Sequence, residues 1–79
     1  MTDKKVFPLS LARRGDKLKI VRFKGGKNFK KKIDDMGLVK GSIIEIKQGG
    51  FKEPFIVEKD KNLIAVGYGM TGKILVEKL

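Results

Sequence analysis

Residues 42–77 read SIIEIKQGGFKEPFIVEKDKNLIAVGYGMTGKILVE, and this stretch decides the fold. It holds four short apolar runs, Ser42–Lys47, Pro54–Glu58, Leu63–Val66 and Ile74–Glu77. Each is rich in β-branched residues and bounded by turn formers, the pattern of short strands. Pro54 opens its run, a position where a strand tolerates proline. Gln48-Gly49-Gly50-Phe51-Lys52-Glu53 reads as a loop, Lys59-Asp60-Lys61-Asn62 as a tight polar turn, and Tyr68-Gly69-Met70-Thr71-Gly72 as a short turn or single helical step. Upstream, Lys17–Phe23 alternates as a half-exposed strand with Leu18 and Ile20 on one face. Val21 and Phe23 fall on the other face, which predicts a bend or bulge near Val21.

One brief helix interrupts the strands. Asn28 is a good N-cap type, and Phe29, Ile33 and Met36 then recur at i, i+4 and i+7. Gly37 supplies a left-handed stop, and Leu38-Val39-Lys40-Gly41 reads as the turn into the next strand. Nearer the start, Pro8–Ala12 reads as one helical or turn-like step and Arg13-Arg14-Gly15-Asp16 as a turn. Residues 1–8 are an extended lead-in anchored by Val6 and Phe7, with the domain proper at 7–79 and a tail at 1–6. About five short strands and one short α-helix at this spacing predict an all-β, strongly bent small barrel.

Composition narrows the chemistry. The chain has 79 residues, room for one small domain with a thin core. It contains neither cysteine nor histidine. Thiol nucleophiles, imidazole bases, disulfides and His- or Cys-ligated metal are therefore excluded. Lys plus Arg is 19 against 9 for Asp plus Glu, a formal charge of +10. Such an excess predicts attraction to nucleic acid, an acidic lipid leaflet or an acidic protein face. The N-terminus has no apolar h-region, and no apolar run approaches the roughly 20 residues that span a bilayer. The expectation is a cytoplasmic, non-enzymatic module with no catalytic residue, cofactor or metal site.

Asp34 and Asp35 are adjacent, so on a helix they point about 100° apart and do not converge on one atom. They read as partners of Lys30 and Lys31 on a solvated face. Met36 and Met70 are thioethers without thiolate or imidazole company, and read as core. Gly67-Tyr68-Gly69 and Gly72 spell a Gly-x-Gly-x-x-Gly, but a dinucleotide fingerprint needs a following helix, and only seven residues remain. The basic residues rise above this background. Arg13, Arg14, Lys17, Lys19, Arg22, Lys24, Lys27 and the run Lys30-Lys31-Lys32 crowd the first 32 residues. They suggest an anion-facing surface, with Phe23 or Phe29 available to stack on bases. Against nucleic acid, sixteen of the nineteen bases are Lys, whereas specific readers lean on Arg. Phe51, at a loop tip, is either folded back or an exposed contact anchor.

The order Asp35-Met36-Gly37-Leu38, Gly41 and then a strand resembles the signature of the FeoA family. Leu9-Ser10-Leu11, Gly15-Asp16 and the Leu18/Ile20/Val21 strand resemble that family's opening. Pro54-Phe55-Ile56-Val57 and the pair Leu63–Val66 and Ile74–Val76 resemble its later strands. The likeness spans about residues 7–78, with departures at Glu53, Val66-Gly67 and Thr71-Gly72. It implies an SH3-like barrel in which Met36, Gly37, Leu38, Gly41 and Pro54 are structural. It also implies an adaptor or regulator of bacterial ferrous iron uptake, docked on a FeoB-type membrane GTPase at the inner membrane face, beside anionic lipid. Arg13, Arg14, Arg22, Lys30, Lys31, Lys32 and Phe51 are the expected partner-binding residues, and an arginine among them could stimulate GTP hydrolysis. Direct binding of a transition metal ion such as Fe²⁺ would fall to carboxylates, carbonyls and Met alone. The alternative is a nucleic-acid-binding barrel of the KOW or ribosomal type, which Arg14-Gly15-Asp16 and Phe23-Lys24-Gly25-Gly26 suggest in outline. A monomer or weak homodimer fits the thin core and its sheet edges.

Overall fold

In a computed structural model that describes residues 5–79, six antiparallel strands form one sheet wrapped around a single core. The strands are β1 (Val6–Pro8), β2 (Lys17–Phe23), β3 (Ile43–Gly50), β4 (Glu53–Lys59), β5 (Asn62–Val66) and β6 (Ile74–Lys78). Their order across the sheet is β1-β6-β2-β3-β4-β5. Two helices, α1 (Lys27–Asp35) and the single-turn α2 (Tyr68–Thr71), join the 3-10 turn Leu9–Leu11 in closing the structure. This is the small all-β barrel that the sequence predicts, with α1 as its one multi-turn helix and β1 as a sixth strand beyond the five expected. Among the described residues no helix is long and apolar enough to cross a membrane.

The core follows from the period-2 pattern. Leu18 and Ile20 of β2, Ile44 and Ile46 of β3, Phe55 and Val57 of β4, and Ile74 and Val76 of β6 are buried, each pair on the inward face of its strand. The helices add Ile33 from α1, and the turns add Leu9 and Leu38. The bulge expected near Val21 is present: Ile20 pairs with Val76 and Arg22 with Leu75, so Val21 is the extra residue. It resets the alternation, and Phe23 therefore packs against the core while Arg22 stays exposed.

Three local expectations are corrected. The end of the extended lead-in is a paired strand, because Val6, Phe7 and Pro8 register with Glu77, Val76 and Leu75 of β6, while residues 1–4 of it lie outside the described residues. The N-cap of α1 is Gly26 rather than Asn28, which lies inside the helix, and no side chain caps that end. The Gln48–Glu53 stretch is mostly strand: β3 runs on to Gly50, and only Phe51 and Lys52 form the hairpin tip. Gly49 sits there because Phe55 leaves no room for a side chain. A Cβ at 49 would lie 2.6, 2.7 and 2.9 Å from atoms of the buried Phe55 ring. The next hairpin turns on Asp60 (φ 51°) and Lys61 (φ 68°), both left-handed, as the two-residue turn matching strand twist requires.

Candidate functional site

The Asp35-Met36-Gly37-Leu38 signature is a helix stop with a defined hydrogen-bond pattern. Gly37 adopts φ +85°, its N–H donates to the Asp34 carbonyl at 2.9 Å, and the Leu38 N–H donates to the Ile33 carbonyl at 3.2 Å. These are the two bonds of the Schellman motif, with Leu38 and Ile33, both fully buried, as its apolar pair. Met36 is half-buried against the core, and Lys59 Nζ donates to the Gly37 carbonyl on the outside. The chain then turns at once. Ser42 Oγ accepts the Val39 N–H at 3.0 Å, Gly41 (φ +92°) donates to the Ile20 carbonyl at 2.7 Å, and the Ile20 N–H donates to the Ser42 carbonyl at 2.9 Å. Val39 and Lys40 are thereby fastened beside the bulged end of β2.

Between that turn, β2 and α1 lies an open cleft of about 470 Å³ lined by Arg22, Phe23, Lys30, Asp34, Val39 and Lys40. Three cations from three elements line it, with one carboxylate, Asp34, on the same helix as Lys30. Among the described residues the ion pairs are Lys47 with Glu58 (3.0 Å) and Glu45 (3.2 Å), and Lys78 with Asp16 (3.8 Å). None involves a residue of the cleft. The pairs expected between Lys30 and Asp34 and between Lys31 and Asp35 are not among them. A second hollow of about 400 Å³, lined by Lys19, Ile20, Val21, Gly41 and Glu77, shares Lys40 with the cleft.

Of the residues singled out in the sequence, the cleft gathers Arg22 and Lys30. Lys31 and Lys32 lie exposed on α1 without lining it. Arg13 and Arg14 are on the turn before β2, where Asp16 accepts the Arg13 N–H at 2.9 Å and the Gly15 N–H (φ +91°) donates to the Ile46 carbonyl. Phe51 is 78% exposed at the β3–β4 tip, with its ring 5.9 Å from Tyr68, edge to face, and Lys52 Nζ 5.3 Å above it. Phe23 and Phe29 are both half-buried against the core, and Lys73 Nζ lies 5.4 Å from the Phe29 ring. Lys40, Val39 and Asp34 of the cleft were not expected as partner contacts. Positions 22, 30 and 40 share no sequence period, and only the bulge and the turn bring them together.

Lys47 titrates above its ordinary value. Its hydrogen bonds to Glu58 and then Glu45 hold its ammonium above the ordinary 10.5. It lies on the sheet between β3 and β4, apart from the cleft. Among the described residues no three of His, Cys, Asp and Glu gather as metal ligands would.

The comparisons with known proteins converge. The family model for the FeoA domain matches residues 7–78. The crystal structure of an iron uptake regulatory protein, FeoA, superposes with a TM-score of 0.89 at 35% identity, covering 95% of this chain and 100% of that one. The solution structure of an FeoA-like protein from Clostridium acetobutylicum does so with a TM-score of 0.81 at 25% identity, covering 99% and 91%. A manganese-dependent transcriptional repressor shares the fold at 18% identity and a TM-score of 0.87, this chain covering 44% of it. No curated protein sequence matches significantly. The expected likeness is thus a family match along nearly the whole domain, and the SH3-like barrel described above is a member of the FeoA family.

Proposed function

We propose that this protein is a cytoplasmic accessory of ferrous iron uptake that docks by protein–protein contacts on a FeoB-type membrane GTPase. The observation that carries the reading is the FeoA match over residues 7–78, joined to 35% identity with an iron uptake regulatory protein across that protein's whole length. Family membership supports a role in iron transport. The charge of +10 supports electrostatic docking, since complementary charge speeds encounter and fixes orientation. The same charge favours a peripheral position beside an anionic leaflet. The protein acts in this reading as a binding module, without a catalytic group of its own.

Binding of the purified protein to the isolated cytoplasmic GTPase region of the FeoB protein from the same organism tests it, with a structured RNA titrated in parallel. Saturable binding to the GTPase region that survives about 0.15 M salt, where screening acts beyond about 8 Å, supports docking. Binding to RNA alone, with a steep salt slope, hands the function to the nucleic-acid reading. Replacing Arg13, Arg14 and Arg22 singly with Gln, and measuring GTP turnover, decides whether any of them reaches the nucleotide.

A further inference from the structure

We infer that the cleft between β2, α1 and the Val39–Lys40 turn is a notch for an acidic protein segment: a partner's Asp or Glu carboxylate enters among Arg22, Lys30 and Lys40 while an adjacent apolar side chain rests on Phe23 and Val39. Placed on the transporter, the inference rests on the docking reading above; the carboxylate chemistry stands apart from it.

Four observations carry it. Arg22, Lys30 and Lys40 come from a strand, a helix and a turn, yet line one concavity with no ion pair of their own among the described residues. Like charges gathered this way repel one another until an anion neutralises them. Second, the arrangement is built in advance. The bulge at Val21 aims Arg22 outward, and the bonds from Val39 to Ser42 and from Gly41 to Ile20 hold Lys40 opposite. A site fixed before binding loses less entropy when it is filled. Third, the guanidinium of Arg22 offers the planar two-pronged donor that matches a carboxylate.

The fourth observation chooses the source of the anion. The half-buried ring of Phe23 and the half-exposed Val39 give the cleft an apolar wall, of use to a peptide side chain and of none to a phosphodiester. Asp34, inside the same cleft, offers an acceptor for a peptide N–H, a donor that a phosphodiester backbone lacks. The volume of about 470 Å³ suits a few side chains.

The test uses the full chain labelled for NMR and an end-blocked peptide of alternating Glu and Leu, with the Gln-for-Glu peptide as its counterpart, at about 0.15 M salt. The expected result is saturable binding of the Glu peptide that moves the Arg22 Nε–H and the Val39 and Lys40 amide signals, with the Gln peptide at least tenfold weaker. The double variant Arg22→Gln with Lys40→Gln then weakens the Glu peptide at least tenfold. Lys5→Gln with Lys61→Gln, an equal loss of charge outside the cleft, stays within twofold. All four substituted side chains are exposed, and unchanged Ile74 and Val76 signals verify the fold. Equal weakening by both double variants, equal affinity for the two peptides, no saturable binding, or tighter binding of a single-stranded oligonucleotide in the same cleft overturns the proposal. If the peptide binds there and the FeoB GTPase region does not bind at all, the notch stands and the transporter reading falls. If the GTPase region binds and Arg22→Gln with Lys40→Gln leaves its affinity unchanged, the notch falls and docking stands.

Discussion

Gly49→Ala adds a single methyl group to the inside of the barrel, and its effect can be worked from the structure. The new Cβ would stand 2.6, 2.7 and 2.9 Å from three atoms of the Phe55 ring, where carbon atoms rest at about 3.5–4.0 Å. Phe55 is fully buried, so the ring yields only by disturbing its neighbours in the core. Forced overpacking of this kind costs about 1–3 kcal/mol. The backbone at 49 lies outside the left-handed region, so alanine also gains about 0.4–1 kcal/mol by restricting the unfolded chain. The net expectation is a loss of about 1–2 kcal/mol, which lowers Tm by about 4–16 °C in a domain of this size. Urea unfolding gives the free energy directly, with an unchanged slope showing that the unfolded state is not the cause. The same substitution placed beside Phe55→Leu isolates the contact. Leucine at 55 lacks the Cε2 atom that stands 2.7 Å away but keeps a Cγ, on a side chain that can turn aside, so the penalty should shrink. A loss below about 0.5 kcal/mol for Gly49→Ala, or the same penalty in both backgrounds, refutes the argument that the ring explains the glycine.

The remaining predictions concern the helix and the sheet surface. Gly37→Ala meets no steric neighbour, so its loss of about 1–2 kcal/mol in urea unfolding comes from the φ of +85° alone, and Gly37→Asn should recover part of it. Asn28→Ala should change stability by less than about 0.5 kcal/mol, because the cap is Gly26; a loss near 1 kcal/mol would return the cap to Asn28. Lys47, held above 10.5 by Glu58 and Glu45, adds stability that is fully present below 10.5 and fades as the pH rises through its higher folded value. Thermal melts of the parent and Lys47→Gln between about pH 8 and pH 11.5 should therefore converge at the alkaline end, and a constant gap across that range contradicts the assignment.

What could be read in advance was what local pattern controls. The alternation in Lys17–Phe23 broke at Val21, and the bulge is there because two faces could not otherwise both be served. Gly37 followed a three-residue apolar stripe, and a left-handed stop is what a glycine in that place supplies. Chain-distant contacts were the ones that escaped. Val6 registers with Glu77, a pairing that no local window contains. Gly49 looked like a loop glycine because its reason, the Phe55 ring, sits across the hairpin. Asn28 had the right chemistry for a cap, but the chain entered the helix two residues sooner. In the candidate site, the basic side chains were legible as a population and not as a place. Lys40 was one turn lysine among sixteen until Gly41 and Ser42 tied it to β2 opposite Lys30.

The position of β6 governs how this chain can be made. In the sheet it lies between β1 and β2, and it contributes the fully buried Ile74 and Val76. The two earliest strands therefore have no direct pairing with each other and wait for the last one to slide between them. On a ribosome that extends the chain by about 5–20 residues each second, the apolar faces of Leu18, Ile20, Ile44 and Phe55 stay without their central neighbour until Val76 and Lys78 have cleared the exit tunnel. Folding closes like a clasp whose tongue arrives last. A change within residues 74–78 therefore strikes both neighbouring strands at once, and any stall short of Ile74 leaves a chain with no route to the native sheet.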